Sequence, residues 1–210
     1  MLTLIWVMKM NTNNVLNSAF DNFKKVCMSN NKKFIHLDKW LYIESKIFES
    51  ELKYKSKNHK IYKLGDIVKI EYGVNIGSEI SNRHFGIVLT CNDNIKNKSI
   101  ITIPLTSKPG KGKIMIGMPI LKKYIYIIND NVMNISIKHI DEDLKKIKKL
   151  INLIDKYFCI SYANPSQIRA IDKNRILPLS NISKNVSYRL EPEKLKLIYN
   201  VLSKKLQITN

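Results

Sequence analysis

The sequence predicts an α+β protein in which helices flank a small antiparallel barrel or sandwich. Three patterns indicate this class: apolar residues at three-to-four spacing near both ends, short alternating or apolar runs in the middle, and polar turns between those runs. The 210 residues suit one domain with an appendage. We therefore expect a helical extension and linker over 1–60 and a strand-rich domain over 61–210, with a helical insertion at about 139–156.

Two helices are predicted in the extension. The first covers 12–28, and its apolar face is formed by Val15, Leu16, Ala19, Phe20, Phe23, Val26 and Cys27. Polar residues at 30–33 end this helix. The second begins at Asp38, a favourable N-cap residue, and runs to about Tyr54. The polar and basic segment 53–60 is typical of a linker.

The strand-rich domain opens with three predicted strands. Residues 66–72 alternate between polar and apolar, whereas 85–90 and 99–105 are short apolar runs. The segment between the first two strands, 73–82, is rich in turn-forming residues. Later strands are predicted at 124–128 and 166–171, and the second is followed by a turn at 172–175. Short strands with tight polar turns favour a small antiparallel barrel or sandwich.

Two further helices are predicted in the second half of the chain. One covers 139–158, with isoleucine and leucine on one face and a lysine-rich outer face that we expect to be solvated. The last helix follows Pro192, which suits the first helical position. Its apolar stripe consists of Leu195, Ile198, Leu202 and Leu206.

The charge balance indicates an anionic partner. The chain has 36 Lys and Arg against 17 Asp and Glu, a formal net charge of +19. Nucleic acid is the first expectation from such an excess, and a membrane surface is the second. The excess is spread along the chain and is mostly lysine, which an A/T-biased genome also produces. Local motifs therefore carry more weight than the bulk charge.

Other counts exclude several classes of protein. The three cysteines are scattered without a Cys-x-x-Cys pair, and the four histidines lack metal-ligand spacing, so we expect no metal and no disulfide framework. This cysteine usage fits a reducing cytoplasm. The apolar N-terminus is short and has no preceding basic region, and no apolar run reaches about 18 residues. We therefore expect neither a secretory signal nor a membrane span, and the sequence indicates no cofactor.

Three segments in order carry a recognisable motif set. Residues 63–79 contain Gly-Asp-Ile-Val and Gly-Ser-Glu, and 83–89 lead to Pro-Leu-Thr-Ser at 104–107. Residues 166–176 read Ser-Gln-Ile-Arg-Ala-Ile-Asp-Lys-Asn-Arg-Ile. This ordered set resembles the PemK/MazF family of toxin endoribonucleases from type II toxin–antitoxin systems. The resemblance covers about 61–116 and 157–206, and the remaining segments resemble additions found in longer members.

The resemblance implies a fold and an activity. The fold would be a small SH3-like barrel with a C-terminal helix, working as a homodimer. The family cuts single-stranded RNA without a metal, through attack of a ribose 2′-hydroxyl on the adjacent phosphate. The products are a cyclic phosphate and a free 5′-hydroxyl. A cognate antitoxin protein would block the groove.

Three residues are the candidate catalytic group. Arg83 is a candidate phosphate clamp and His84 a candidate acid or base, although either can be the catalytic cation, because counting from Gly77 places His84 where the family has its arginine. Side chains of neighbouring strand residues point to opposite faces, so only one of the two easily faces a groove. Thr106 matches the family's catalytic threonine. The alternatives are that His84 bonds a loop and that Thr106 caps a turn.

Further candidates for RNA binding lie in the same motifs. They are Ser78, Glu79, Ser107, Gln167, Arg169 and Arg175. Arginine binds phosphate well as a planar donor, and three of the four arginines fall within the matched segments. Glu79 can act as a base or satisfy loop amides. Gln167 can contact base edges or hold loops together.

Two other functions remain open at this point. The same barrel occurs in CcdB-like toxins, which act on DNA gyrase through protein contacts made by the C-terminal helix. A catalytically inactive relative would instead bind RNA as a regulator.

Overall fold

The computed structural model describes residues 2–53, 59–133, 140–178 and 188–207. The chain is an α+β protein with N-terminal helices, an antiparallel sheet and a C-terminal helix, as predicted. Contacts divide it into two compact units. The first comprises residues up to 55 together with 73–78, and the second comprises 56–72 and 79–210.

The described residues of the first unit form two α-helices, α1 (Leu2–Cys27) and α2 (Leu37–Lys53). Both were predicted, but α1 begins well before residue 12, and Asp38 lies inside the first turn of α2 instead of at its N-cap. An acidic residue there still interacts favourably with the helix dipole. The predicted end of α2 at Tyr54 lies outside the described residues.

The segment 73–78 belongs to this unit through specific contacts. Lys33 donates from Nζ to the carbonyl oxygen of Gly77 at 2.6 Å. The buried ring of Trp40 lies so close to Gly73 that a Cβ there would be 2.3 Å from it. The predicted apolar face of α1 is largely solvent-exposed, since Val15, Leu16 and Phe20 are 60–67% exposed.

The described residues of the second unit form seven strands and three α-helices. The strands are β1 (Ile67–Glu71), β2 (Arg83–Val88), β3 (Ser99–Thr106), β4 (Ile114–Gly117), β5 (Ser161–Ala163), β6 (Arg169–Asp172) and β7 (Ile176–Leu177). The helices are α3 (Pro119–Met133), α4 (Ile140–Tyr157) and α5 (Pro192–Leu206). The first three predicted strands, the insertion helix and the C-terminal helix are confirmed. His139, the predicted start of α4, lies outside the described residues.

All strand pairs are antiparallel, in the order β4-β5-β3-β2-β1-β7. Strand β6 also pairs with β3, next to the residues of β3 that pair with β5. Among the described residues no pairing joins β4 to β7, so the sheet is not closed and the predicted barrel closure is wrong. Strand β7 has two residues and is followed by Pro178, which has no N–H to donate to a ladder.

The core lies on both faces of the sheet. One cluster joins Ile67, Ile87 and Ile103 to residues of α3 and α5, including Tyr124 and Ile198. A second, smaller cluster lies on the opposite face and contains Tyr72 and the strand residues Val68, Ile70, Val88, Ile100 and Ile171. The alternation along β1 and β2 therefore determines which side chains share a face.

Two predicted strands need correction. Residues 124–128 lie within helix α3, because Ile120, Tyr124 and Ile127 recur at helical spacing and are all buried. The β-branched and aromatic composition of this short window favoured a strand, although Pro119 suits a helix start. Over 166–171 the strand begins only at Arg169, because Pro165 opens a 3₁₀ turn that ends at Gln167. Strands β4, β5 and β7 were not predicted.

Candidate functional site

A cavity of about 370 Å³ lies where β2 begins and β3 ends. Four residues singled out from the sequence line it: Arg83, His84, Thr106 and Ser107. Strands β2 and β3 are neighbours in the sheet, so the register brings the start of one near the end of the other. Residues far apart in the chain therefore meet at one concave place.

Arg83 is held by a carboxylate on the neighbouring strand. It lies opposite Glu71 in the β1–β2 register, and its Nε donates to Oε2 of Glu71 at 2.5 Å. The Glu71 side chain is only 9% exposed, whereas that of Arg83 is 57% exposed. A guanidinium has five N–H donors, so this bond fixes Arg83 and leaves other donors for an anion.

His84 is tied to the main chain. Its Nδ1 lies 3.2 Å from the carbonyl oxygen of Leu105, and because a carbonyl only accepts, Nδ1 carries the proton in this bond. The ring packs edge-on against Tyr72, with 6.4 Å between ring centroids. Burial lowers the pKa of His84, and main-chain hydrogen bonds at Leu105 and Ser81 oppose this effect. The imidazole is therefore neutral at neutral pH. Its bonds to main-chain groups agree with the alternative that His84 bonds a loop.

Thr106 ends β3 and also caps a turn. Its Oγ1 accepts a hydrogen bond from the main-chain N–H of Lys108 at 3.2 Å, and Ser107 next to it is exposed. Thr106 therefore does cap a turn, as the alternative interpretation of this residue predicted. A hydroxyl that accepts still has its own hydrogen to donate, so Thr106 can also bind an oxygen of a bound anion.

The cavity includes three polar residues that sequence reasoning missed. Lys69 lies in the middle of β1 and is half-buried. Ser161 is the first residue of β5, and Cys159 lies two residues before it. The alternation of 66–72 could have placed Lys69 on one face with Ile67 and Glu71. Nothing in the sequence marked Cys159 or Ser161, because β5 is too short to give a period-two pattern.

The other predicted binding residues do not line this cavity. Gln167 accepts through Oε1 from the N–H of Ile80 at 3.0 Å. Nη1 of Arg169 lies 3.8 Å from Oε2 of Glu79. The side chain of Ser78 is exposed. Arg175 donates from Nε to the main-chain oxygen of Glu71 at 2.9 Å and from Nη2 to the main-chain oxygen of Tyr72. Gln167 and Arg175 thus both bind main-chain groups, as a structural role requires.

The arrangement suits an anionic group of phosphate size. Lys69 and Arg83 supply cations, while Thr106 and Ser107 supply hydroxyl donors. Within the described parts of the chain, no group of three or more His, Cys, Asp or Glu residues is arranged to hold a metal ion. The described helices also include none that is long and apolar enough to cross a bilayer. No family model matches the chain, and no curated protein matches its sequence.

Proposed function

We propose that the protein is a PemK/MazF-like toxin that cleaves single-stranded RNA without a metal. The observation that carries the proposal is the position of Arg83, His84 and Thr106 around one cavity. Arg83 and His84 come from one stretch of the sequence and Thr106 from another, and the β2–β3 pairing brings the two stretches together. The fold in this proposal is an SH3-like sheet that stays open between β4 and β7.

The reaction divides into roles that these side chains can fill. The ribose 2′-oxygen attacks phosphorus, and the bond to the 5′-oxygen breaks to give a cyclic phosphate. Negative charge grows on the non-bridging oxygens, where fixed donors and cations stabilise the transition state. Arg83 and the Thr106 hydroxyl fill that role. Within this proposal His84 is the candidate acid or base, and burial favours its neutral form.

The partners in this proposal follow from charge. A net charge of +19 raises the rate of encounter with RNA and with an acidic antitoxin. The proposal includes a homodimer and an antitoxin that covers the cavity.

The test is cleavage of several long single-stranded RNAs by the purified full chain in EDTA. We expect fragments with cyclic-phosphate and 5′-hydroxyl ends. The double variant Arg83→Ala, Thr106→Ala should abolish cleavage and keep RNA binding. Lys98→Gln, a change on an exposed loop, serves as the control and should cleave as wild type does.

Two outcomes contradict the proposal. Folded wild-type protein that leaves all the RNAs intact is not this nuclease. Growth inhibition in cells that persists in the double variant indicates a protein target, as in the CcdB-like alternative. In the described residues, Ile198 and Leu202 of α5 are buried in the core and Leu195 packs partly against it, so most of the C-terminal apolar stripe already has a packing role.

A further inference from the structure

Lys69 shares a sheet face with Arg83. In the β1–β2 register Lys69 lies opposite Phe85 and Glu71 lies opposite Arg83. Residues two apart on a strand point to the same face, so the side chains of 69, 71, 83 and 85 are on one side. Diagonal neighbours in such a pair lie roughly 7–8 Å apart, within the reach of long side chains. Both cations line the cavity.

The two cations differ in what neutralises them. The guanidinium of Arg83 has a carboxylate partner at 2.5 Å, the nearly buried Glu71. Among the described residues, the Lys69 ammonium makes no ion pair and no hydrogen bond. The cavity lining described here contains no acidic side chain, and the imidazole of His84 is neutral at neutral pH. Lys69 is therefore the source of uncompensated positive charge in the cavity.

We infer that Lys69 is a further catalytic residue, which binds the non-bridging oxygens of the scissile phosphate together with Arg83. This inference rests on the proposed RNA cleavage. In the step, the 2′-oxygen forms a bond to phosphorus and the bond to the 5′-oxygen breaks with its electron pair. The proton lost by the 2′-hydroxyl is balanced by one gained by the 5′-oxygen. Lys69 takes no part in this proton transfer and acts through its charge.

The location of Lys69 gives this charge more effect than surface lysines have. It is half-buried in the centre of a strand, so its backbone is fixed by pairs on both sides, with β2 and β7. A fixed cation needs little reorganisation when charge grows in the transition state. The extra charge appears on the phosphate during reaction, so removal of Lys69 should lower kcat far more than it raises KM.

The experiment compares four proteins by kcat and KM on one RNA in EDTA: wild type, Lys69→Gln, Lys69→Arg and Lys98→Gln. Removing one preorganised donor costs about 100-fold in kcat in comparable sites, and we expect a loss of this order for Lys69→Gln. KM should change by less than about threefold. Lys69→Arg keeps the cation and should recover most of the loss. Lys98→Gln removes the same charge from an exposed loop and should stay within about twofold of wild type.

Thermal melting of each protein separates misfolding from chemistry. If Lys69→Gln does not fold, Lys69→Met replaces it as a variant with a similarly shaped, uncharged side chain. Wild-type cleavage together with a Lys69→Gln rate equal to that of Lys98→Gln overturns the role of Lys69 and leaves the nuclease proposal standing. A rise in KM at unchanged kcat also overturns it, because Lys69 would then contribute only to binding. A wild type that cleaves no RNA overturns both proposals.

Discussion

Arg83 and Glu71 face one another across β1 and β2, and the guanidinium donates from Nε to Oε2 at 2.5 Å. The carboxylate is nearly buried, whereas the arginine extends into the cavity. Arg175 holds the same strand end through the main-chain oxygen of Glu71. The pair thus joins the sheet to the candidate site.

Removing the arginine alone should destabilise the protein. Arg83→Gln leaves the buried Glu71 carboxylate without its charged partner, and we expect a loss of about 1–3 kcal/mol in the free energy of unfolding. Adding Glu71→Gln removes the unpaired charge and should restore at least half of that loss. Urea unfolding of the two single variants and the double variant measures the coupling. Strictly additive losses would show that the pair contributes no coupling energy.

The fold was predictable where one element carries its own signal. Pro192 and the apolar stripe after it were enough to place α5, and alternation was enough for β1. The window at 124–128 was too short to distinguish a buried helix face from a strand, and only Ile120 outside it reveals the helical period. The two-residue β7 forms because Ile70 and Lys69 provide partners, which no local pattern reports.

The site was predictable only as a set of residue types. The motifs led to Arg83, His84 and Thr106, but the bonds that define their chemistry depend on register. Whether Arg83 meets Glu71, and whether His84 reaches Leu105, is set by how β1, β2 and β3 align. The sequence alone did not indicate Lys69 as a site residue, because a lysine in an alternating strand is usually solvated.

His84 should make stability depend on pH below neutrality. Burial holds its folded-state pKa below the ordinary value of about 6.5, so the unfolded chain takes up a proton first as pH falls. The contribution of His84 to the free energy of unfolding is therefore complete above about pH 6.5 and is lost as pH falls below that value. His84→Asn keeps an N–H for the Leu105 carbonyl without titrating. Urea unfolding at pH 7.5 and 5.5 should show a larger loss for wild type than for the variant; equal losses would mean that His84 is not responsible.

Gly73 should tolerate no side chain, because the Trp40 ring fills the space beside it. A Cβ would lie 2.3 Å from that ring, and the residue has a φ of +76°. Overpacking costs about 1–3 kcal/mol, and the left-handed conformation about 1 kcal/mol more. Gly73→Ala should therefore disturb the packing of α2 on this segment. Fluorescence of Trp40, in a Trp6→Phe background that leaves it the only tryptophan, reports the change.

Gly77 provides the matched control for this change. It also has a positive φ, +58°, but a Cβ there would meet nothing within 4 Å. Gly77→Ala should cost only the conformational strain of about 1 kcal/mol and leave the Trp40 spectrum as it is. Equal effects of the two substitutions would assign the cost to the backbone and exclude contact with Trp40 as its cause.

Lys123 should give a pH dependence of the same sign as that of His84, but at higher pH. It is 4% exposed in α3 and donates from Nζ to the main-chain oxygen of Ile67. Burial lowers its pKa to about 8, and the charge of Asp66 only partly opposes this. The unfolded chain keeps the proton up to the usual lysine pKa of about 10.4, so stability rises as pH rises above 8. We expect a gain of about 2 kcal/mol in the free energy of unfolding between pH 7.5 and 9.5.

Lys123→Met should remove that rise and stabilise the protein at pH 7.5, because an apolar side chain of similar length replaces a buried charge. The window lies below the ionisation of the buried tyrosines, since burial raises the pKa of Tyr62 and Tyr72 to about 12. Lys98→Met, on an exposed loop, should retain the wild-type rise and controls for loss of a positive charge. A rise that persists in Lys123→Met would mean that another group titrates. A Lys123→Met protein that is less stable than wild type at pH 7.5 would mean that the bond to Ile67 outweighs the cost of burying the ammonium.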